Sequence, residues 1–104
     1  MPSKDFIKYE MLPEHMRKAA RGYVEDGAPV GGFLTAAIEN DLVEAFYRAD
    51  DINLAAMRAW VDWLYNECPA LARGSRKAMK AWMEIGGLNG QERSASEDIQ
   101  AGGK

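Results

Sequence analysis

The sequence predicts an all-α fold, a compact bundle of four to five short helices followed by a flexible C-terminal tail. Three observations predict it. Apolar residues return at intervals of three and four in four separate segments, the pattern of one buried helical face. Each segment is bounded by residues that begin or end helices, among them Pro13, Gly27, Asp50, Pro69, Ser75 and Gly86. No run of β-branched residues alternates with polar ones, so nothing reads as a strand.

Taken in order, residues 1–10 are mixed in character and are expected to form a loosely ordered N-terminal segment. A helical domain spans 11–88. Its first helix starts near Pro13, because proline suits the first helical position. Met16, Ala19, Ala20, Tyr23 and Val24 then share one face, and Gly27 with Pro29 ends the element. After the turn Val30-Gly31-Gly32, a second helix is predicted over Phe33–Ala49. Phe33, Leu34, Ala37, Ile38, Leu42, Ala45, Phe46 and Ala49 supply its inward stripe. Asn40-Asp41 is a weak helix former that kinks or splits the element, and one kinked helix is the preferred reading.

Asp50-Asp51 caps a third helix over Ile52–Glu67, since an aspartate accepts hydrogen bonds from first-turn N–H groups. Leu54, Met57, Trp60 or Val61, Leu64 and Cys68 form its inner face, and Pro69 stops it. Ser75 caps a fourth, with Ala78, Met79, Trp82 and Met83 inward and Gly86-Gly87 closing it. From Asn89 onward Ile99 is the one strongly apolar residue, which makes 89–104 a flexible tail.

Composition narrows the function classes. The chain has 104 residues, 47% of them hydrophobic and 28% charged, as in ordinary globular domains. No apolar run approaches the roughly 20 residues that span a bilayer, and residues 1–10 lack the apolar stretch of a signal peptide. Cys68 is the sole cysteine, so no intramolecular disulfide can form. These features point to the cytoplasm (the host's, if the protein is phage-encoded), and Cys68 reads as a packing residue. The net charge of −3 hides a segregation: between Glu25 and Glu67 nine acidic residues face Arg48 and Arg58, so that segment is −7 and the remainder +4.

Catalytic chemistry finds little footing. His15, the single histidine, has no nucleophile or orienting acid beside it. Metal binding by histidine and cysteine is short of ligands. Asp41, Glu44, Asp50 and Asp51 could supply oxygen ligands, but the segment lacks the glycine and distal glutamate of a calcium loop; helix capping and a solvated acidic face explain them better. The glycine turn at 27–32 lacks the lysine and hydroxyl of a phosphate loop. No cofactor is therefore expected. Arg73, Arg76, Lys77 and Lys80 form a basic cluster too small for tight DNA binding in an acidic protein. Trp60, Trp63 and Tyr65 cannot all face one core, so part of this set is expected at an interface.

The segments Gly31-Gly32-Phe33-Leu34-Thr35-Ala36, Asn40-Asp41-Leu42, Ala49-Asp50, Asn53 and Trp63-Leu64-Tyr65-Asn66-Glu67-Cys68-Pro69 together resemble a group of short proteins encoded in phages and prophages. The resemblance covers residues 8–88. Small acidic phage proteins of this size include anti-CRISPR inhibitors, which block host immune complexes by binding protein surfaces and sometimes by imitating DNA. It implies a non-enzymatic interaction protein whose partner is a host protein or ribonucleoprotein complex. In that reading Glu39, Asp41, Glu44, Asp50 and Asp51 imitate nucleic acid, with Trp63 and Tyr65 as a second contact surface. A homodimer is compatible with the chain's small size. The alternatives are a nucleic-acid-binding regulator using helix 73–80 and a nucleotide-binding scavenger using the glycine turn.

Overall fold

Pro13, with extended backbone at ψ 137°, delivers the chain into α1 (Glu14–Asp26), and Gly27 ends that helix in the left-handed region at φ 69°. The computed structural model describes residues 6–93, and among these every regular element is helical. After α1 come α2 (Gly32–Ile38), α3 (Leu42–Arg48), α4 (Asp51–Ala55), α5 (Met57–Asn66) and α6 (Arg76–Ile85). A further helical stretch, α7, occupies 87–93. Short 3₁₀ turns at Tyr9–Met11 and Ala70–Ala72 complete the set.

The fold class is as the sequence predicts, but both long helices divide. The expected 33–49 element is two helices, because Asn40 turns left-handed at φ 64°. The Asp41 N–H reaches back to the Ala36 carbonyl at 2.9 Å and the Asn40 N–H to Ala37 at 3.2 Å, closing α2 in a Schellman motif. Asp41 then caps α3 by accepting from the Glu44 N–H. The expected 52–67 element is likewise broken at Ala56, between α4 and α5. Its predicted cap is present: Asp50 accepts from the Asn53 N–H at 2.7 Å.

The N-terminal segment is better held than expected from residue 6 on. Ile7 and Tyr9 are buried, and the Tyr9 hydroxyl donates to Glu25 at 3.2 Å. The Lys8 N–H donates to the Glu67 carboxylate, tying this segment to the end of α5. At the other end, α7 replaces the first residues of the expected tail. Gly86 caps α6 at φ 85°, yet Leu88 is buried and carries the chain into another helical turn. The rest of the expected tail, 94–104, lies outside the described residues, as do 1–5.

The core is built on three tryptophans. Trp60 and Trp63 are each 1% exposed and meet edge-to-face, with ring centroids 6.1 Å apart. Phe33 packs on Trp60 at 5.3 Å and Tyr9 on Trp63 at 6.0 Å. The Trp60 indole donates to Asn53 at 3.0 Å, which explains how a buried asparagine is accommodated. Trp82 donates to the Tyr23 and Val24 carbonyls near the end of α1. Here α1 and the α6–α7 junction meet backbone to backbone. A methyl group at Gly87 would lie 2.6 Å from the Gly27 nitrogen and from the Glu25 carbonyl carbon, so only glycine fits.

Candidate apolar interface

α3 carries an unusual load for a seven-residue helix. Five of its residues, Leu42, Val43, Ala45, Phe46 and Tyr47, are apolar or aromatic. A helix buries one face, and Ala45 alone is buried here. Leu42, Val43, Phe46 and Tyr47 are left exposed, as are Val61 and Tyr65 on α5. Exposure in this set runs from 47% at Phe46 to 85% at Tyr47. Together the six side chains expose apolar surface on the order of 600 Å², and Leu42, Phe46, Val61 and Tyr65 among them line one concavity.

Part of that surface is concave. Leu42 and Phe46 from α3 face Met57, Val61, Leu64 and Tyr65 from α5 across a groove of about 640 Å³. Both helices contribute residues four apart, so each wall carries side chains at one-turn spacing. The floor includes Trp60, whose other side belongs to the core.

Charged groups at the groove differ in what they are committed to. Arg58 is paired with Asp62 on the same helix at 3.1 Å. Asp41 is engaged as the α3 cap. Arg73 sits on the loop before α6, held against the end of α2 by the Gly74 N–H bonding to the Ile38 carbonyl at 2.8 Å. Its guanidinium lies over the Tyr65 ring at 5.5 Å. It makes no ion pair among the described residues, and its buried Nε has no hydrogen-bond acceptor.

The sequence-predicted site residues fare differently. Trp63 is a core residue, so of the aromatic pair only Tyr65 reaches the surface; three-residue spacing from Trp60 lets both tryptophans turn inward. The carboxylates do not form one free acidic face. Glu44 pairs with Arg48 at 2.8 Å, Glu39 with Arg76 at 3.6 Å, and Asp50 with His15 at 2.9 Å in addition to its cap. The Asn53 N–H and then His15 hold the Asp50 carboxyl below its ordinary range. Asp51 is exposed and makes no such bond among the described residues.

The remaining sequence motifs are placed as follows. His15 is spent on Asp50, and no group of three or more potential metal ligands forms among the described residues. Cys68 is buried, which pushes its thiol up to about 12 and leaves it a packing residue. The glycine turn provides Gly31 as the cap of α2, with the Arg48 side chain lying over Gly32. The basic cluster is not one helix face: α6 starts at Arg76, which Ser75 precedes as cap, and Arg73 is off the helix. No helix of the described residues is long and apolar enough to cross a membrane.

The sequence does not reveal the groove, because Leu42 and Phe46 fit the 3.6-residue period of a core stripe. The signal that separates them is the number of apolar residues around α3, too many for one face. No protein-family model, no curated protein and no solved structure matches this chain.

Proposed function

We propose that this chain is a non-enzymatic interaction protein that docks a protein partner on the α3–α5 face, with a host defence complex as the target class that the phage-protein resemblance suggests. The observation that carries this reading is the exposed apolar surface of Leu42, Val43, Phe46, Tyr47, Val61 and Tyr65. Patches of this kind mark protein contacts when they are rimmed by polar groups, and aromatic residues dominate interface energetics. Of the sequence-predicted carboxylates, Asp41 lines the groove and Glu39, Glu44, Asp50 and Asp51 lie outside it, where charge steers encounter more than it adds affinity. In this reading the main contact is the apolar surface, and the carboxylates are secondary.

Capture from a bacterial host lysate, read by mass spectrometry, tests the reading with two variants. Val61→Asp places a charge in the groove wall and should abolish recovery of the partner that the parent retains. Asp51→Lys reverses an exposed charge outside the groove and should reduce recovery modestly, with the loss growing at low salt. Full recovery by Val61→Asp with loss by Asp51→Lys would restore the nucleic-acid-mimic mechanism in place of apolar docking.

A further inference from the structure

Resting on that docking reading, we infer that the α3–α5 groove takes an amphipathic helix that carries a carboxylate, and that Arg73 is the group that selects it. The two walls present Leu42 and Phe46 opposite Val61 and Tyr65, each pair four residues apart. Such spacing matches the anchor spacing of a helix laid into a groove, where side chains at i and i+4 project from one face.

Charge decides which helix. Four ionised side chains line the groove: Asp41, Arg58, Asp62 and Arg73. Arg58 and Asp62 neutralise each other. The Asp41 carboxylate is turned to the α3 N-terminus, whose unpaired N–H groups favour negative charge. Arg73 is left uncompensated. Its guanidinium carbon lies over the Tyr65 ring, 5.5 Å from the centroid, and its Nε is out of solvent without an acceptor. The buried Nε edge is closed to a ligand, so a docking carboxylate meets the terminal Nη groups, where a partly dehydrated guanidinium gains a charge-assisted partner. An apolar helix without an acid would leave the guanidinium charge without a counterion, and a basic one would meet a like charge.

The probes are two short synthetic helices with leucines at i and i+4, one ending its apolar face in glutamate and the other in glutamine at the same position. Each is titrated into the isotopically labelled full chain and followed by amide and methyl resonances. The glutamate helix should shift Leu42, Phe46, Val61 and Tyr65 and bind about tenfold tighter than the glutamine helix, the scale of one charge-assisted hydrogen bond. In Arg73→Gln that preference should vanish while the same resonances still move; Arg73→Lys, which keeps the charge without the planar fork, should retain a smaller preference. Equal binding of the two helices to the parent overturns the role of Arg73 and leaves the groove as a docking site. Absence of groove shifts with either helix overturns the helix assignment itself. Concentration-dependent shifts of the same resonances in the protein alone would assign the groove to a second copy.

Discussion

Two junctions of the molecule spend the same kind of residue in opposite ways. Where α1 meets the α6–α7 junction, Trp82 is buried and its indole satisfies two carbonyls of α1. The neighbouring Tyr23 is also buried, and its hydroxyl donates to the Ala72 carbonyl at 2.6 Å, with burial holding the phenol above its ordinary range. Where α3 meets α5, Tyr47 and Tyr65 stand in solvent and Leu42 and Phe46 are open to it. Aromatic residues at the first junction supply stability. At the second junction they supply a surface. A domain of this size has little apolar area to spare, and the proposed docking role accounts for leaving so much of it uncovered.

The largest loss should come from removing the anchor of the stable junction. Trp82→Ala deletes a buried indole together with its two hydrogen bonds, and should cost about 3–5 kcal/mol. Denaturant unfolding followed by far-ultraviolet circular dichroism measures it. A loss of under about 1 kcal/mol would mean that the stable junction has been misplaced.

The backbone contact beside it predicts a smaller but still large effect. Gly87→Ala meets the end of α1 at 2.6 Å and sits at φ 67°, where an L side chain is strained. Roughly 2 kcal/mol or more should be lost. Gly31→Ala has nothing within 4 Å and ordinary backbone, so it should cost only the preference of a helix N-cap for glycine over alanine, about 0.5–1 kcal/mol. Equal effects at the two glycines would contradict the close approach of α1 to α7.

How far the sequence led differs between these junctions for physical reasons. The caps were legible, because Asp50 and Ser75 act through local hydrogen bonds that depend only on neighbouring residues. Gly27 and Gly86 were legible for the same reason. The break at Asn40 was ambiguous, since a single residue entering the left-handed region decides between a kink and two helices. Once split, α3 was free to rotate its apolar residues out of the core, which no periodicity on one strand of sequence reports. Arg73 was grouped with the basic residues that follow it. Its stacking on Tyr65 is a tertiary contact, and only the loop held at Ile38 brings the two together.

A finer test lies at the link between α1 and α4. The Asp50 carboxyl is held below its ordinary value of 3.8, first by the Asn53 N–H and then by His15. A lowered folded pKa means that its stabilising contribution is present above that ordinary value and is lost as pH falls through the folded value. Asp50→Asn keeps a capping oxygen but cannot titrate. Its unfolding midpoint should therefore fall less than the parent's on going below pH 3.8, and parallel curves would dismiss the contribution.

The smallest stability effect belongs to the groove, and it is the most telling one. Leu42→Ser with Tyr65→Ser removes two residues that are 65% and 69% exposed. If the α3–α5 face is reserved for a partner, the double variant should unfold within about 1 kcal/mol of the parent, since exposed substitutions each change stability by about half that or less. The same protein should lose the partner that the parent captures, because the removed side chains form opposite walls of the groove. Measuring both quantities on one preparation tests the account directly. An unchanged midpoint with lost capture is the predicted result; a collapse in stability, or undiminished capture by a folded variant, would contradict it.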